Sequence, residues 1–530
     1  MLRVLLPIPL ILLLSPALGH ADDAALAACG AAKVHAMARA CSDLLSAEAR
    51  LLATGNAEGK VRRLAKVRGR IVETWAKAEA QAPDSRCATF TASPDGAVDF
   101  VDSVVSEILS SVPVASCGAK LGRRLRRHCR NAVELEVDEL LAPAGAADER
   151  TKVIGRIRTL LSRRWPVKGC GTGPDANEVT RALFRLAGAA AGQGTTRGIR
   201  ELADQVGLSI GVAIEPGEVA TDPDYQSALV RESNSLTAEN VMKWGPTQPG
   251  PTQFSFAGAD QIMALADAER MRVRGHTLVW GALQLPSYVQ NASTAAELRG
   301  YMSDHIAGVI GQYAGRIAQW DVVNEPLRST VDPATPDGLD DNIFTQLIGP
   351  GYIAEALHLA RAADPTAGLF VNENGIAVPG PRQDRFYQLI VDLLAAGAPL
   401  DGVGLQAHVG LTPLSAYPTR DVVETSVRRF ADLGLDVEIT ELDATVLFRP
   451  PDLALAFAIQ GQDYRAYADG CFAVPRCTGI TTWGLSDQYT WLRTFFGFDD
   501  YPLPFDDFWN RKPAYFGMRG SLLGRLLADS

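Results

Sequence analysis

Apolar residues fall into two regimes along this chain. From residue 199 onward, short apolar runs recur at 210–214, 235–237, 273–279, 320–323, 369–371, 402–405, 437–439 and 479–482, and stretches of helical composition separate them. Runs this short and continuous suit strands covered on both faces, and eight strand–helix units in series predict an α/β fold, a (β/α)8 TIM barrel. The residues at or just after the run ends keep one phase. They are Glu239, Asn240 and Lys243; His276 and Trp280; Asn324 and Glu325; Asn372 and Glu373; Gln406 and His408; Glu441 and Asp443; and Trp483 and Trp491. Chemistry in such a barrel gathers at the C-terminal strand ends, so this phase predicts one site assembled from many loops.

Before residue 199 the pattern is helical and duplicated. Cys29-Gly30-Ala31 recurs as Cys117-Gly118-Ala119, Cys41 as Cys129, Gly69-Arg70-Ile71 as Gly155-Arg156-Ile157, Cys87 as Cys170, and Pro94-Asp95 as Pro174-Asp175. Ala, Leu, Arg and Glu dominate each copy, and Gly55, Pro83 and Pro94 mark the breaks. The first copy reads as a long helix from about Gly30, a turn near Gly55, a returning helix to about Ala82 and a third helix from about Asp95. A returning helix brings Cys87 beside Cys29 and Cys170 beside Cys117, leaving the mid-helix Cys41 and Cys129 to join the copies; six cysteines allow 15 connectivities, and this is the one expected here. The predicted organisation is a leader at 1–21, a smaller all-α, disulfide-linked module at 22–191, a Gly-rich linker at 192–198, and the barrel at 199–525.

The leader rests on Arg3, an apolar run from Val4 to Leu14, and small residues near Ala17-Leu18-Gly19-His20-Ala21. It predicts a secreted protein in an oxidising compartment, where eight cysteines suit disulfides, and no later stretch reads as a membrane span. Charge separates the two regions. Residues 22–198 carry 27 basic and 20 acidic side chains, a net +7, whereas 199–530 carry 23 and 41, a net −18. Arg123, Arg124, Arg126, Arg127, His128 and Arg130 form a basic run. It reads as a solvated helix face or as a handle for an anionic polymer or cell surface. No zinc-ligand spacing, phosphate-cradling glycine loop or nucleic-acid signature is present, so no metal, cofactor or nucleic-acid partner is expected.

Glu325 and Glu441 each end an apolar run. Two carboxylates so placed are what retaining glycoside hydrolysis requires, one as acid/base and one as nucleophile, about 5–5.5 Å apart. The surrounding motifs then carry a resemblance. Leu236-Thr237-Ala238-Glu239-Asn240-Val241-Met242-Lys243-Trp244, Arg274-Gly275-His276-Thr277-Leu278-Val279-Trp280, Trp320 to Glu325, Asp401-Gly402-Val403-Gly404-Leu405-Gln406-Ala407-His408, Ile439-Thr440-Glu441-Leu442-Asp443 and Thr482-Trp483-Gly484 occur in order. Together they make residues 199–520 resemble family 10 of the glycoside hydrolases, the endo-β-1,4-xylanases.

The resemblance implies Glu325 as acid/base and Glu441 as nucleophile. It places His408 on the nucleophile, Asp443 behind His408, and Asn324 at the sugar 2-hydroxyl. Glu239, Asn240, Lys243, His276, Gln284 and Gln406 become sugar contacts, and Trp280, Trp483 and Trp491 an apolar cage. Trp244 reads as core. It also implies a Cys471–Cys477 disulfide and xylan as substrate. Another β-1,4-glycan, or a non-catalytic polysaccharide-binding role, stays open. Departures from the family pattern are Gly281, where a His is usual, with a one-residue insertion before Gln284; Asn372-Glu373-Asn374 for the usual Asn-Asp-Tyr; and Ala444 for a larger apolar residue. Gly281 is expected to open room on the glycone side. The resemblance does not reach the helical module, whose partner the sequence leaves open.

Overall fold

The computed structural model describes residues 17–82, 87, 93–110, 115–141, 176–195, 197–328, 338–411 and 418–528. The leader to residue 16, the repeat at Gly155 and the expected Cys117–Cys170 pairing lie outside these residues.

The first helix runs Ala17–Thr54 and buries Val34, Met37, Ala38, Cys41, Leu44 and Leu45, the i, i+3, i+4, i+7 stripe of a core-facing helix. Gly55 ends it at φ +67, a conformation glycine adopts freely. Asn56 then caps the returning helix Ala57–Ala80 by accepting from Gly59 N at 2.8 Å. That helix buries Val67, Ile71, Trp75 and Ala78. Helices Pro94–Ser110, Ala115–Leu141 and Ala176–Gly194 complete the described part of the module. Cys29 joins Cys87 and Cys41 joins Cys129, with Cα atoms 6.4 and 6.2 Å apart, as the repeat register predicts. The Cys41–Cys129 bond links equivalent positions of the two copies. Lys33 is fully buried within the first copy, bonded to Glu79 at 2.5 Å and Cys87 O at 2.8 Å, with its ammonium 5.0 Å above Trp75. Burial, opposed by Glu79, pulls its pKa below the usual lysine value.

The barrel strands are β1 (Ser209–Ile214), β2 (Ser235–Ala238), β3 (Arg272–Trp280), β4 (Gln319–Asn324), β5 (Gly368–Glu373), β6 (Gly402–Leu405), β8 (Asp436–Ala444) and β9 (Cys477–Thr482). A short strand β7 (His408–Val409) pairs with the end of β8. All pairings are parallel, and contact between β6 and β8 closes the ring of eight. The expected runs fall inside these strands, except that 402–405 matches β6 to the residue.

The barrel floor is ionic. Arg274 is 2% exposed; its Nε donates to Asp321 Oδ2 at 3.0 Å and its Nη1 to Glu438 Oε2 at 2.8 Å. Gln319 and Thr478 complete the shell of Glu438, and the guanidinium stacks 4.6 Å over Phe370. Gly275 is required beside it, because a Cβ there would sit 2.1 Å from the Trp320 ring.

The linker expected at 192–198 is not a flexible tether. Helix Ala176–Gly194 takes up its first three residues, and Gln193 and Thr195 are buried. Its glycines serve close approach: a Cβ on Gly192 would meet Phe516 at 2.9 Å, and one on Gly194 the Lys33 backbone at 2.7 Å. This helix packs on the closing helix Pro513–Ala528. There Arg519 donates to Gly188 O at 3.1 Å, and Phe100 meets Phe516 with ring centroids 5.7 Å apart. The buried side chains of module and barrel therefore form one continuous cluster. No helix among the described residues is long and apolar enough to cross a membrane.

Arg274→Met would leave Asp321 and Glu438 as uncompensated buried carboxylates. The expected cost is about 3–5 kcal/mol, read as a fall in the denaturation midpoint. A change below ~1 kcal/mol would contradict the central position given to this network.

Candidate active site

Parallel register brings the strand ends to one rim. Asn324 pairs with Asn372 across β4 and β5, and Glu373 with Leu405 across β5 and β6. Glu325 leaves β4 at φ +50, a left-handed conformation that a side-chain-bearing residue adopts at a cost. Its N–H donates to Asn372 O at 2.8 Å, Pro326 follows, and Leu327 N donates to the Glu373 carboxylate at 2.9 Å. Arg382 bonds the same carboxylate at 2.7 Å and also reaches the carbonyls of Asn374 and Arg328. The turn that aims Glu325 is thus tied to the loop after β5. The Glu325 carboxylate accepts from Gln406 Nε2 at 2.8 Å and Trp280 Nε1 at 3.2 Å, with its other face open to the cleft.

Glu441 lies inside β8 and is 4% exposed. Its Oε1 accepts from Asn372 Nδ2 at 2.7 Å, and its Oε2 lies 3.1 Å from His408 Nε2. His408 Nδ1 lies 2.9 Å from Asp443 Oδ2, which also accepts from Trp491 Nε1 at 2.9 Å. Burial opposes charge on this imidazole, but the two flanking carboxylates prevail and push His408 up to about 10. Burial likewise opposes charge on Glu441, yet the His408 hydrogen bond and the nearby imidazoles hold it below the ordinary glutamate value. The site therefore keeps Glu441 ionised.

Asn372 is the joint between the carboxylates. Its Nδ2 donates to both Glu441 and Asn324 Oδ1 (2.9 Å), and its Oδ1 accepts from Thr440 at 2.6 Å. Gln406 also donates to Asn324 Oδ1, at 3.2 Å. The side-chain nitrogen of Asn324 keeps no protein partner among the described residues. Gly404 makes this packing possible, since a Cβ there would lie 2.1 Å from Asn372 Oδ1.

The remaining expected contacts form the other half of the rim. Asn240 Oδ1 accepts from Lys243 and from Gln284, both at 2.8 Å, so the insertion does not carry Gln284 away from the site. Lys243 lies 5.0 Å over the Trp280 ring. His276 is 2% exposed, with Nδ1 2.9 Å from Asp321 Oδ2 and its ring edge-on to Trp483 at 5.1 Å. Trp491 and Trp483 both flank His408. Trp244 is core, stacked 4.1 Å from His305. Cys471 and Cys477 are bonded, beside the start of β9.

One expectation fails. Gly281 does not open room, because Asn342 fills the space and would lie 2.3 Å from a Cβ at that position. Asn342 is held there as the cap of the short helix Ile343–Leu347. Two site residues went unassigned. In the sequence Asn372 stands out only as a strand-end departure, and Glu215, which accepts from Asn240 Nδ2 at 2.7 Å, carries no assignment. The available signal for Glu215 is its position directly after β1, in phase with the other polar ends.

Glu215, Glu218 and Glu239 crowd one side of the rim. Burial and the neighbouring Glu215 push Glu218 up to about 7; burial, Glu215 and Glu218 push Glu239 up to about 8. Carboxyls raised in this way bind a proton more tightly folded than unfolded. Their contribution is fully present below the ordinary glutamate value and is lost as pH rises through about 7–8. Glu218→Gln should therefore flatten the decline in denaturation midpoint between about pH 5 and 8. An unchanged slope would show that this crowding carries no stability cost.

Comparison with known proteins agrees with the geometry. The family model described as Glycosyl hydrolase family 10 matches residues 198–520. The chain is 36% identical over 316 residues to an endo-1,4-beta-xylanase A of Phanerodontia chrysosporium, covering 59% of this chain and 73% of the relative. It is 36% identical over 310 residues to a beta-1,4-xylanase of Dictyoglomus thermophilum, covering 55% and 83%. Among solved structures, native xylanase 10B of Thermotoga maritima aligns with a TM-score of 0.57 at 31% identity, covering 63% of this chain and all of that one. The chain belongs to glycosyl hydrolase family 10.

Proposed function

We propose that this protein is a retaining endo-1,4-β-xylanase that cleaves internal linkages of xylan by double displacement. The observation that carries the reading is the joined pair: Glu441, held ionised by His408 and Asn372, shares one hydrogen-bonded rim with Glu325 through Asn324 and Gln406. In the first step Glu441 attacks the anomeric carbon while Glu325 gives its proton to the departing oxygen. The ester formed removes the charge on Glu441, which favours loss of a proton from water to Glu325 in the second step. Asn324 offers its amide N–H to the sugar 2-hydroxyl, a contact that tightens as the oxocarbenium ion develops. His408 and Asp443 are positioning groups for the nucleophile.

Glu239, Asn240, Lys243, His276, Gln284 and Gln406 supply polar contacts, and Trp280, Trp483 and Trp491 supply ring faces suited to pyranose C–H surfaces. The disulfides and the leader pattern support a place outside the cytoplasm.

Unsubstituted xylan should yield short β-1,4 oligomers whose newly formed ends are first seen as the β anomer by proton NMR. Glu441→Ala should lower turnover by roughly 10⁴-fold or more. Glu325→Ala should cost about 10²–10⁴-fold on xylan and far less on an aryl glycoside whose leaving group needs no proton. An α-anomeric first product would refute the double displacement. Faster hydrolysis of carboxymethyl-cellulose than of xylan would move the substrate to glucan.

A further inference from the structure

The hairpin of the first two helices leaves a cleft of about 490 Å³ on the helical module, a volume suited to a sugar-sized group. Arg50, Lys60, Arg62, Arg63, Lys66 and Arg126 line it, against the single carboxylate of Asp43. Three of these cations are already neutralised. Lys60 pairs with Glu48 and Asp102, Arg63 with Asp43, and Arg62 with Glu58. The side chains of Arg50, Lys66 and Arg126 have no ion-pair or hydrogen-bond partner among the described residues, and all three residues are exposed. Arg50 and Lys66 come from the first copy of the repeat and Arg126 from the second, so the cleft exists only where the two copies pack, next to their Cys41–Cys129 link. It also takes just one member of the basic run at 123–130; Arg130, for instance, pairs with Glu134 instead.

We propose that this cleft binds a carboxylate-bearing sugar unit, a uronic acid side group on the β-1,4 polysaccharide that the barrel cuts. The identity of that polymer rests on the function proposed above; the preference for an anion does not. Three unneutralised cations converging on one concavity favour an anionic occupant, and the planar fork of arginine matches a carboxylate. A polymer segment is preferred to a lipid surface because the charges line a concave wall. The module also shares one continuous core with the barrel, so the cleft is carried at a fixed place relative to the active site. Electrostatics makes the idea decidable. The barrel region carries −18 and repels a polyanion, whereas the module carries +7. If the barrel alone governed binding, removing carboxylates from the polymer would strengthen binding; if the cleft governs it, their removal weakens binding.

The test uses the full chain bearing Glu441→Ala, so that polymer is held without being cut. Its affinity is measured for glucuronic-acid-substituted xylan and for the same polymer after reduction of its carboxyls. The acidic form should bind roughly tenfold more tightly at low salt, with the advantage vanishing toward about 0.5 M salt. Adding Arg50→Ala, Lys66→Ala and Arg126→Ala should abolish the advantage. The same three substitutions in the otherwise native chain should leave hydrolysis of a neutral aryl xylobioside unchanged, which shows that the barrel is intact. Equal or tighter binding of the reduced polymer overturns the proposal, as does a preference that survives the three substitutions. Binding to anionic phospholipid vesicles without binding to the acidic polymer also overturns it, in favour of a membrane surface. Cleavage of the reduced polymer by the native chain checks the barrel's substrate separately.

Discussion

A guanidinium buried away from solvent sets the terms for the barrel. Arg274 stands in the barrel interior, where Asp321 and Glu438 make its charge tolerable. Because each of the three lies on a different strand, the network fixes β3, β4 and β8 relative to one another more strictly than apolar packing would. The constraint also passes upward. Asp321 spends its second interaction on His276 Nδ1, and His276 meets the edge of Trp483, which also flanks His408 on the rim. Burial opposes charge on Asp321, but Arg274 and His276 outweigh it and keep that carboxyl below its usual range. A charge pair in the floor thus orients an imidazole on the rim.

The rim follows the same logic at higher stakes. Glu441 is buried yet held below the ordinary glutamate value, because the His408 hydrogen bond and the nearby imidazoles outweigh burial, and His408 is itself pushed up by its two flanking carboxylates. Glu325, the acid/base of the proposed mechanism, is the more exposed of the two. Its backbone conformation is costly, and the compensation is visible. Glu373, pushed up to about 7 chiefly by burial, still holds Leu327 N, Asn374 N and Arg382, so two loops are stapled where one is strained. Glutamate in place of the aspartate usual in the resembling family supplies one more methylene of reach for that staple.

Much of this was legible in the sequence because burial on both faces leaves short apolar runs, and because a barrel puts function at one end of every run. Glu325, Glu441, His408 and Asp443 could be placed on one rim from phase alone. What escaped depends on neighbours across strands. Nothing along 369–373 says that the Asn372 amide meets Asn324 and Glu441, since those partners lie 48 and 69 residues away. Glycine misled twice for one reason. At 192–194 and at Gly281 its missing side chain suggests slack, whereas in both places another group occupies the vacated volume: Phe516 and Lys33 in the first case, Asn342 in the second. Composition reports that a side chain is absent; packing decides what that absence is for.

The helical module shows why duplication and disulfides belong together. The returning helix Ala57–Ala80 offers the core only a narrow stripe centred on Trp75, and much of its remaining surface is charged. One such hairpin cannot bury enough apolar surface to stand alone. Two copies can, because their equivalent long helices pack face to face, and Cys41–Cys129 closes a loop of 88 residues that would otherwise cost entropy to order. Lys33 then becomes tolerable in the interior, since Glu79, the Cys87 carbonyl and the Trp75 ring take up its ammonium. The same helix that carries Lys33 receives the close approach of Gly194, at the point where the chain turns toward β1. The module therefore presents its charged outer surface to solvent from a fixed orientation on the barrel, which a tether of flexible glycines could not have provided.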